Sequence, residues 1–157
     1  MHPVRQKTRT KARPGFSLTE ALIVIILLGI MGSIAVPSIA RSMTSSRVDR
    51  AALTVAGDVE AAFSLAARSR KPVDLVVDSV WRRIQIRDRA SATVLQSRSY
   101  GLTESDYGLT RLAPSVSSIT IFPNGLADGA FVIFAYANQS MRAVRVRRTG
   151  QIRITAP

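Results

Sequence analysis

The chain lacks the residues on which many enzymes and cofactor proteins depend. It has no cysteine, a single histidine, His2, and only 6% aromatic residues. Without cysteine there is no disulfide and no thiolate nucleophile or ligand, and neither a glycine-rich phosphate loop nor a set of metal-spaced ligands is present. Asp74, Asp78 and Asp88 fall at predicted strand ends, where carboxylates favour turns over a catalytic pair. We therefore expect no enzyme activity, no cofactor, no metal and no small-molecule substrate.

Acidic residues are also scarce. The 157 residues contain 22 basic and 10 acidic side chains, a net charge of +12. Five of the basic residues lie near the start of the chain: Arg5, Lys7, Arg9, Lys11 and Arg13. Without those five, 17 basic residues face 10 acidic ones, a net charge of +7. The remaining excess lies in residues 79–157, and a basic balance favours nucleic acid, anionic membranes or acidic protein surfaces as partners.

A long apolar run follows the basic stretch. From Ala21 to Ala40 there is no charged residue, and about 20 helical residues cross roughly 30 Å of hydrocarbon. One carboxylate, Glu20, stands at the start of the run. An acid in a segment otherwise suited to lipid is costly and therefore points to a function.

The junction of the two stretches resembles a known processing signal. The sequence Gly15-Phe16-Ser17-Leu18-Thr19-Glu20 and its apolar run resemble the class III signal of type IV prepilins and type II secretion pseudopilins. The resemblance implies that a prepilin peptidase cuts after Gly15 and N-methylates Phe16, and that Glu20 guides assembly. It also implies a helix kink at Pro37. The basic leader is then cytoplasmic by the positive-inside rule, and His2 is removed with it.

Physical chemistry supports a role for Glu20 in assembly. Cleavage would give Phe16 a free ammonium group, and an opposite charge is the most effective compensation for a carboxylate in a low dielectric. A staggered neighbouring subunit supplying its own ammonium group would fix the axial register of the two helices. We therefore expect other pilin or pseudopilin subunits as partners.

Helical periodicity continues beyond Pro37. The helix is predicted to run from Phe16 to Arg70, because Pro72 disfavours the α conformation at Lys71. Apolar residues step by three and four along its second half, forming one core-facing stripe: Val48, Ala52, Val55, Val59, Ala62 and Ala66. The charged residues of this half, including Asp58, are expected to lie mostly off the stripe.

After Pro72 the apolar period changes to two. The predicted strands are residues 73–78, 80–88, 93–100, 116–122, 130–136, 141–148 and 151–155, with a long loop over residues 101–115. Trp81, near the first hairpin turn, is expected to serve packing and not to form a ligand platform. The predicted fold class is α+β and pilin-like, with a long N-terminal helix packed on an antiparallel β-sheet head.

The end of the chain resembles a narrower group. The segments Ile119-Thr120-Ile121-Phe122-Pro123-Asn124-Gly125 and Gly150-Gln151-Ile152-Arg153-Ile154 resemble the ending of the GspH/FimT group of minor pilins and pseudopilins. In the last hairpin, a three-residue loop over residues 148–150 aligns the apolar residues on one face, whereas a two-residue loop mixes the faces. The first register places Arg145 opposite Arg153 and Arg147 opposite Gln151, with Gly150 in a left-handed conformation.

Two explanations for this basic face remain open. Arg145, Arg147, Arg148 and Arg153, with Arg142 as a further candidate, could bind phosphates of double-stranded DNA, as the resemblance to FimT-like DNA-uptake pilins implies. Those proteins carry a glycine-arginine-any-arginine motif here, whereas Gln151 replaces its first arginine in this chain. The other explanation is a solvated face or a contact with acidic neighbouring subunits.

These observations predict four segments. They are a cleaved cytoplasmic leader (residues 1–15), a transmembrane and assembly helix (16–40), the amphipathic half of the helix (41–71) and a β-rich GspH/FimT-like head (72–157). The expected protein is a minor pseudopilin, a structural subunit of a type II secretion pseudopilus that the prepilin peptidase processes. It would be anchored in the inner membrane with its head in the periplasm and would enter a filament on assembly. The alternative is a FimT-like minor pilin of a type IV pilus that binds DNA during uptake.

Overall fold

One long helix contributes to both compact units of the chain. The computed structural model describes residues 15–101 and 107–156, and the two units comprise residues 1–39 and 40–157. The helix, α1 (Leu18–Ser69), begins where the carbonyl of Ser17 accepts a hydrogen bond from the amide of Ala21 at 3.1 Å. The predicted ends, at residues 16 and 70, are each within two residues of those observed. The basic leader, residues 1–14, is outside the described part of the chain.

The helix stops where the sequence predicts. Arg70, the first residue after α1, has a φ of 53°, the left-handed conformation that commonly ends helices. The hydroxyl of Ser69 donates a 2.7 Å hydrogen bond to the carbonyl of Leu65. Pro72 follows, and the chain then enters the first strand.

In the first unit the apolar side chains of α1, and that of Phe16 just before it, are exposed. Phe16 and Leu18 are 81% and 88% exposed. The exposed apolar residues that follow them in this unit include Leu22, Ile23, Val24, Ile25, Ile26, Leu27, Leu28, Ile30 and Met31. No helix within the described residues meets the length and apolarity required of a membrane span. Pro37 lies within the helix, and its side chain is outside the described set, so the kink stays a prediction.

In the second unit α1 supplies one wall of the core. The six residues of the predicted stripe are all fully buried, as is Ala51 beside them. Fully burying a valine stabilises the folded state by about 1.5–3 kcal/mol, so this stripe holds the helix against the head. The helix predicted from periodicity is confirmed here.

In the described part of the chain, eight strands form two antiparallel sheets. They are β1 (Val73–Asp78), β2 (Arg83–Asp88), β3 (Val94–Ser99), β4 (Arg111–Pro114), β5 (Ser118–Ile121), β6 (Phe131–Ala137), β7 (Ser140–Val146) and β8 (Ile152–Thr155). Sheet A has the order β3-β2-β1-β5, and sheet B has the order β4-β6-β7-β8. Alternate residues of the strands are buried, as in β1 and β6, and together with α1 they form one hydrophobic core. The predicted α+β class is confirmed, and the head has two four-stranded sheets.

Strand β4 lies inside the segment predicted to be a loop. It pairs with β6 alone, and Pro114 lies opposite Ile133. Proline is tolerated there because β4 is an edge strand, where one side of the backbone needs no partner. Of its residues only Leu112 is buried, so the alternating pattern that reveals other strands is too short to recognise.

The first hairpin differs from the prediction at its turn. The second strand begins at Arg83 rather than at Val80, because Asp78 Oδ1 accepts hydrogen bonds from the amides of Val80 and Trp81 at 2.9 and 3.0 Å. Arg82 then takes a φ of 48° before the strand starts. This turn leaves Trp81 62% exposed, so the packing expected of its indole ring is largely absent.

Candidate functional site

The hairpin of β7 and β8 has the register that the sequence predicts. Val146 lies opposite Ile152, Val144 opposite Ile154, and Arg145 opposite Arg153. This alignment keeps the valines buried and places the arginines on the exposed face.

The turn of this hairpin depends on Gly150. The amide of Gly150 donates to the carbonyl of Arg147 at 2.9 Å, and Gly150 has a φ of 79°. The amide of Arg147 in turn donates to the carbonyl of Gln151, also at 2.9 Å, which closes the three-residue loop. A Cβ atom at position 150 would lie 3.2 Å from the ring of Phe63 on α1. The turn is therefore seated against the helix, and the hairpin is fixed in position as well as in register.

Four side chains on the exposed face of this hairpin line a small concavity of about 140 Å³: Arg145, Arg147, Gln151 and Arg153. We call this surface the arginine face. Like charges directly opposite one another destabilise a strand pair, and here the guanidinium groups of Arg145 and Arg153 are carried by directly paired residues. Within the described residues, no side chain of the arginine face takes part in an ion pair with a carboxylate. The face is therefore a concentration of uncompensated positive charge.

The two remaining candidate arginines do not line this concavity. Arg148 is exposed in the turn, and its carbonyl accepts a hydrogen bond from the amide of Ala127 at 2.8 Å. Arg142 forms an ion pair with Asp49 of α1 at 2.5 Å, and its guanidinium also donates to Ser45 Oγ at 3.4 Å. Because its charge is compensated by Asp49 on α1, Arg142 does not belong to the arginine face.

The predicted processing site lies at the start of α1. Gly15 and Phe16 precede the helix and are exposed, and Glu20 is the acidic residue of its first turn. A carboxylate at this position interacts favourably with the positive end of the helix dipole. On the side of this bond that the structure describes, Phe16, Ser17 and Leu18 are exposed.

A buried polar network, which the sequence did not predict, joins α1 to the edge of sheet A. Asp58 is 3% exposed, and its carboxylate accepts hydrogen bonds from Tyr100 Oη at 2.6 Å, Arg98 Nε at 3.0 Å and Gln96 Nε2 at 3.1 Å. Burial raises the pKa of the Tyr100 phenol well above its usual range, and the hydrogen bond to Asp58 adds to this effect. The hydrogen bond and the charge of Asp58 raise the pKa of Arg98.

Two signals in the sequence could have found this network. Asp58 is three residues after Val55 and four before Ala62, so helical spacing places it on the buried stripe. Gln96 and Arg98 alternate along β3 and therefore point to the same side. All four polar groups serve to attach an edge strand to the helix, and we assign them a structural role. Among the residues that the structure describes, no cluster of three or more histidine, cysteine or acidic side chains could hold a metal ion.

Solved structures similar to this chain are minor pilins and pseudopilins. The type IV minor pilin FimU of Pseudomonas aeruginosa matches in two crystal forms, with TM-scores of 0.59 and 0.56 and sequence identities of 16% and 18%. These matches cover 71% and 69% of this chain and 93% and 96% of the FimU chains. The minor pseudopilin EpsH from the type 2 secretion system of Vibrio cholerae matches with a TM-score of 0.53 at 14% identity, over 71% of this chain and 98% of that chain.

Comparisons of the sequence itself with protein-family models and with curated proteins find no match. The structural likeness therefore concerns the fold. This chain has the minor pilin fold, a helix packed on antiparallel sheets, and the fold implied by the resemblance to the GspH/FimT group is confirmed.

Proposed function

We propose that this protein is a minor subunit of a pilus-like filament, with a structural and not an enzymatic role. It is made as an inner-membrane precursor, is cut between Gly15 and Phe16 by a prepilin peptidase and is methylated at Phe16. The first half of α1 holds it in the membrane until it is assembled, with the head in the periplasm.

A single observation carries this proposal: the apolar side chains of α1 are exposed in its first half and buried in its second half. Over residues 18–31 its large apolar side chains are exposed, whereas the stripe from Val48 to Ala66 is buried under the head. Exposed apolar surface on this scale marks a contact with lipid or protein. The membrane would cover this apolar surface first, and helices of neighbouring subunits would cover it after assembly. A pilin helix meets these two environments in that order.

Glu20 restricts the axial positions at which the exposed half of α1 can pack against a neighbouring helix. Apolar contacts between parallel helices allow many axial offsets, because lipid-like surfaces pack non-directionally. A carboxylate that must meet the ammonium group of Phe16 on a neighbouring subunit allows one offset. We therefore assign to Glu20 the axial register of this subunit in the filament.

Of the filament systems, we propose the type II secretion pseudopilus. Gln151 in place of the first arginine of the glycine-arginine-any-arginine motif removes one phosphate-binding side chain that DNA-uptake pilins carry. The similarities to FimU and EpsH concern the fold and are compatible with either system.

The test has two parts, the identity of the N-terminal residue of the mature protein and the phenotype of a strain that lacks the gene. Mass spectrometry of the protein from native membranes is expected to show a chain that starts at N-methylated Phe16, and Gly15→Ala is expected to leave the precursor uncut. Deleting the gene in the native host is expected to reduce export of secreted proteins while DNA uptake stays at the wild-type level. A mature chain that starts elsewhere would refute the processing step.

A second candidate function, DNA binding in a type IV pilus, is favoured by the arginine face. Its concavity presents three guanidinium groups to solvent, and phosphate contacts by arginine are bidentate and strong. If this function is correct, the deletion impairs DNA uptake and spares secretion. Binding of a 30-bp duplex would then fall with salt and show little preference for sequence.

A further inference from the structure

Several arginines outside the arginine face have a partner for their charge. Arg89 pairs with Asp74 at 3.3 Å and Arg98 with Asp58 at 3.0 Å. Arg111 lies over the ring of Tyr136, with its guanidinium carbon 5.5 Å from the ring centre. In contrast, the three arginines of the arginine face share one concavity whose described lining contains no carboxylate. Their mutual repulsion lowers the stability of the hairpin unless a partner supplies negative charge.

The described acidic residues of a second copy of this chain are a poor source of that charge. Among them, Asp49, Asp58 and Asp74 are in ion pairs within the second unit. The carboxylates of Asp78 and Asp88 accept backbone hydrogen bonds in turns.

Two exposed carboxylates of the second unit remain in the described part of the chain, Glu60 on α1 and Asp128 in the loop before β6. Single carboxylates on different elements do not complement three arginines that share one concavity. Two copies of the mature chain, each with a net charge of +7, would also repel one another.

We propose that the arginine face docks onto an acid-rich surface of a different protein subunit in the filament. This inference rests on the proposed function, because it names the kind of neighbour that the subunit requires. Paired strands hold Arg145 and Arg153 side by side, so two guanidinium groups can bind one carboxylate cluster bidentately. Gln151 adds a neutral amide that can both donate to and accept from the partner's backbone or side chains.

An acidic protein surface fits the arginine face better than nucleic acid does. Three arginines in one compact concavity contact at most about three phosphates, which corresponds to a salt slope of about −2.7. Nucleic-acid sites instead spread basic residues along the path of the backbone or interleave them with aromatic rings. The described lining of the concavity contains no aromatic ring. Such a compact site instead suits a protein surface, where complementary charge sets which partners associate.

The test is site-specific photocrosslinking of the full chain in cells that assemble filaments. A benzophenone amino acid replaces Thr149, which is exposed in the turn beside the arginine face, and in a second strain it replaces Gln139, exposed in the turn between β6 and β7. The expected result is an adduct from position 149 with a different filament protein, mapped to a segment rich in aspartate and glutamate. Position 139 is not expected to give that adduct.

Charge variants decide whether the contact is electrostatic. Arg145→Glu/Arg153→Glu is expected to lower the yield of the adduct by about tenfold, and Arg145→Gln/Arg153→Gln by less. The control Arg47→Glu/Lys71→Glu changes the net charge equally at exposed positions outside the arginine face, and it is expected to keep the yield within about twofold. Replacing the mapped partner carboxylates with lysine in the Arg145→Glu/Arg153→Glu strain is expected to restore the adduct.

The other outcomes overturn the proposal. An adduct with a second copy of this chain or with nucleic acid names a different partner, and an adduct insensitive to charge reversal means that the contact is not electrostatic. Filaments that contain the protein but yield no adduct at position 149 refute the inference and leave the proposed function standing. Absence of the protein from filaments refutes both, so the two failures are distinguishable.

Discussion

The phenol of Tyr100 donates a 2.6 Å hydrogen bond to Asp58 Oδ2, and both residues are buried. This contact joins the residue that follows β3 to the middle of α1, 42 positions earlier in the chain. Arg98 completes the site from the same strand, with its side chain 42% exposed. The buried charge of Asp58 is thus balanced by one ion pair and further hydrogen bonds, and these contacts join α1 to a strand that otherwise pairs with β2.

Replacing Asp58 with asparagine tests the strength of this attachment. Asp58→Asn keeps the shape of the side chain, removes the ion pair and leaves the phenol and guanidinium with a weaker acceptor. Breaking buried pairs costs about 3–5 kcal/mol, and partial hydration of Arg98 lowers the expected loss to about 2–3 kcal/mol. Urea denaturation of the mature protein in detergent measures this loss, and Asp128→Asn, at an exposed loop carboxylate, is expected to change stability by less than about 0.5 kcal/mol.

Tyr100 predicts how stability depends on alkaline pH. Its pKa in the folded protein is raised, so the folded state keeps a proton that the unfolded state releases above about pH 10. The stabilisation is complete below that pH and is lost as the pH rises through the folded-state pKa. Stability is therefore expected to fall by up to about 1.4 kcal/mol per pH unit above pH 10.

The variant Tyr100→Phe isolates this contribution. It removes the titrating proton, so the decline above pH 10 is expected to become shallower, and at neutral pH it costs about 1.5–3 kcal/mol for the lost hydrogen bond to a charged group. Denaturant titrations at intervals from pH 8 to pH 11 measure both effects. Tyr136→Phe on β6 is the matched control, and a slope in Tyr100→Phe equal to that of the wild type would contradict the assignment.

The contrast between the predicted hairpin register and the missed network has a physical reason. The register of β7 and β8 follows from local information, because a slip of one residue exposes Val144 and Val146. The partner of Asp58 lies 42 residues away, and no local pattern states which strand will cross the helix there. Trp81 was misplaced for a related reason: the Asp78 turn, not the apolarity of the indole ring, decides where its side chain points.

Gly150 and Gly125 form a natural pair for separating backbone strain from steric clash. Both have a φ of 79°, but a Cβ at Gly125 meets open space, whereas one at Gly150 meets the Phe63 ring at 3.2 Å. Gly125→Ala is expected to cost about 1–2 kcal/mol for the left-handed conformation alone. Gly150→Ala is expected to cost more, by roughly 1–3 kcal/mol for overpacking.

The extra cost at Gly150 should depend on the ring. Adding Phe63→Leu to Gly150→Ala relieves the contact, so the two substitutions together are expected to cost less than the sum of the two alone. Gly129→Ala, where a Cβ also meets open space, serves as the control and should stay within about 0.5 kcal/mol of the wild type. Equal losses for Gly125→Ala and Gly150→Ala would mean that Phe63 does not hold the turn.

Glu20→Ala is expected to separate processing from assembly. The side chain lies in the first turn of α1, beyond the bond between Gly15 and Phe16, so cleavage should proceed as in the wild type. The variant loses the carboxylate that we propose to meet a neighbour's ammonium group. Incorporation is expected to fall by about tenfold, since charge pairs in a low dielectric contribute more than those in water. Glu20→Gln keeps the size of the side chain and loses its charge, so its incorporation should fall to the same extent, whereas Glu20→Asp should retain part of the incorporation.

The measurement for these Glu20 variants is the ratio of filament-bound to total mature protein by immunoblotting. Wild-type incorporation of Glu20→Ala would show that apolar contacts of α1 alone set the register.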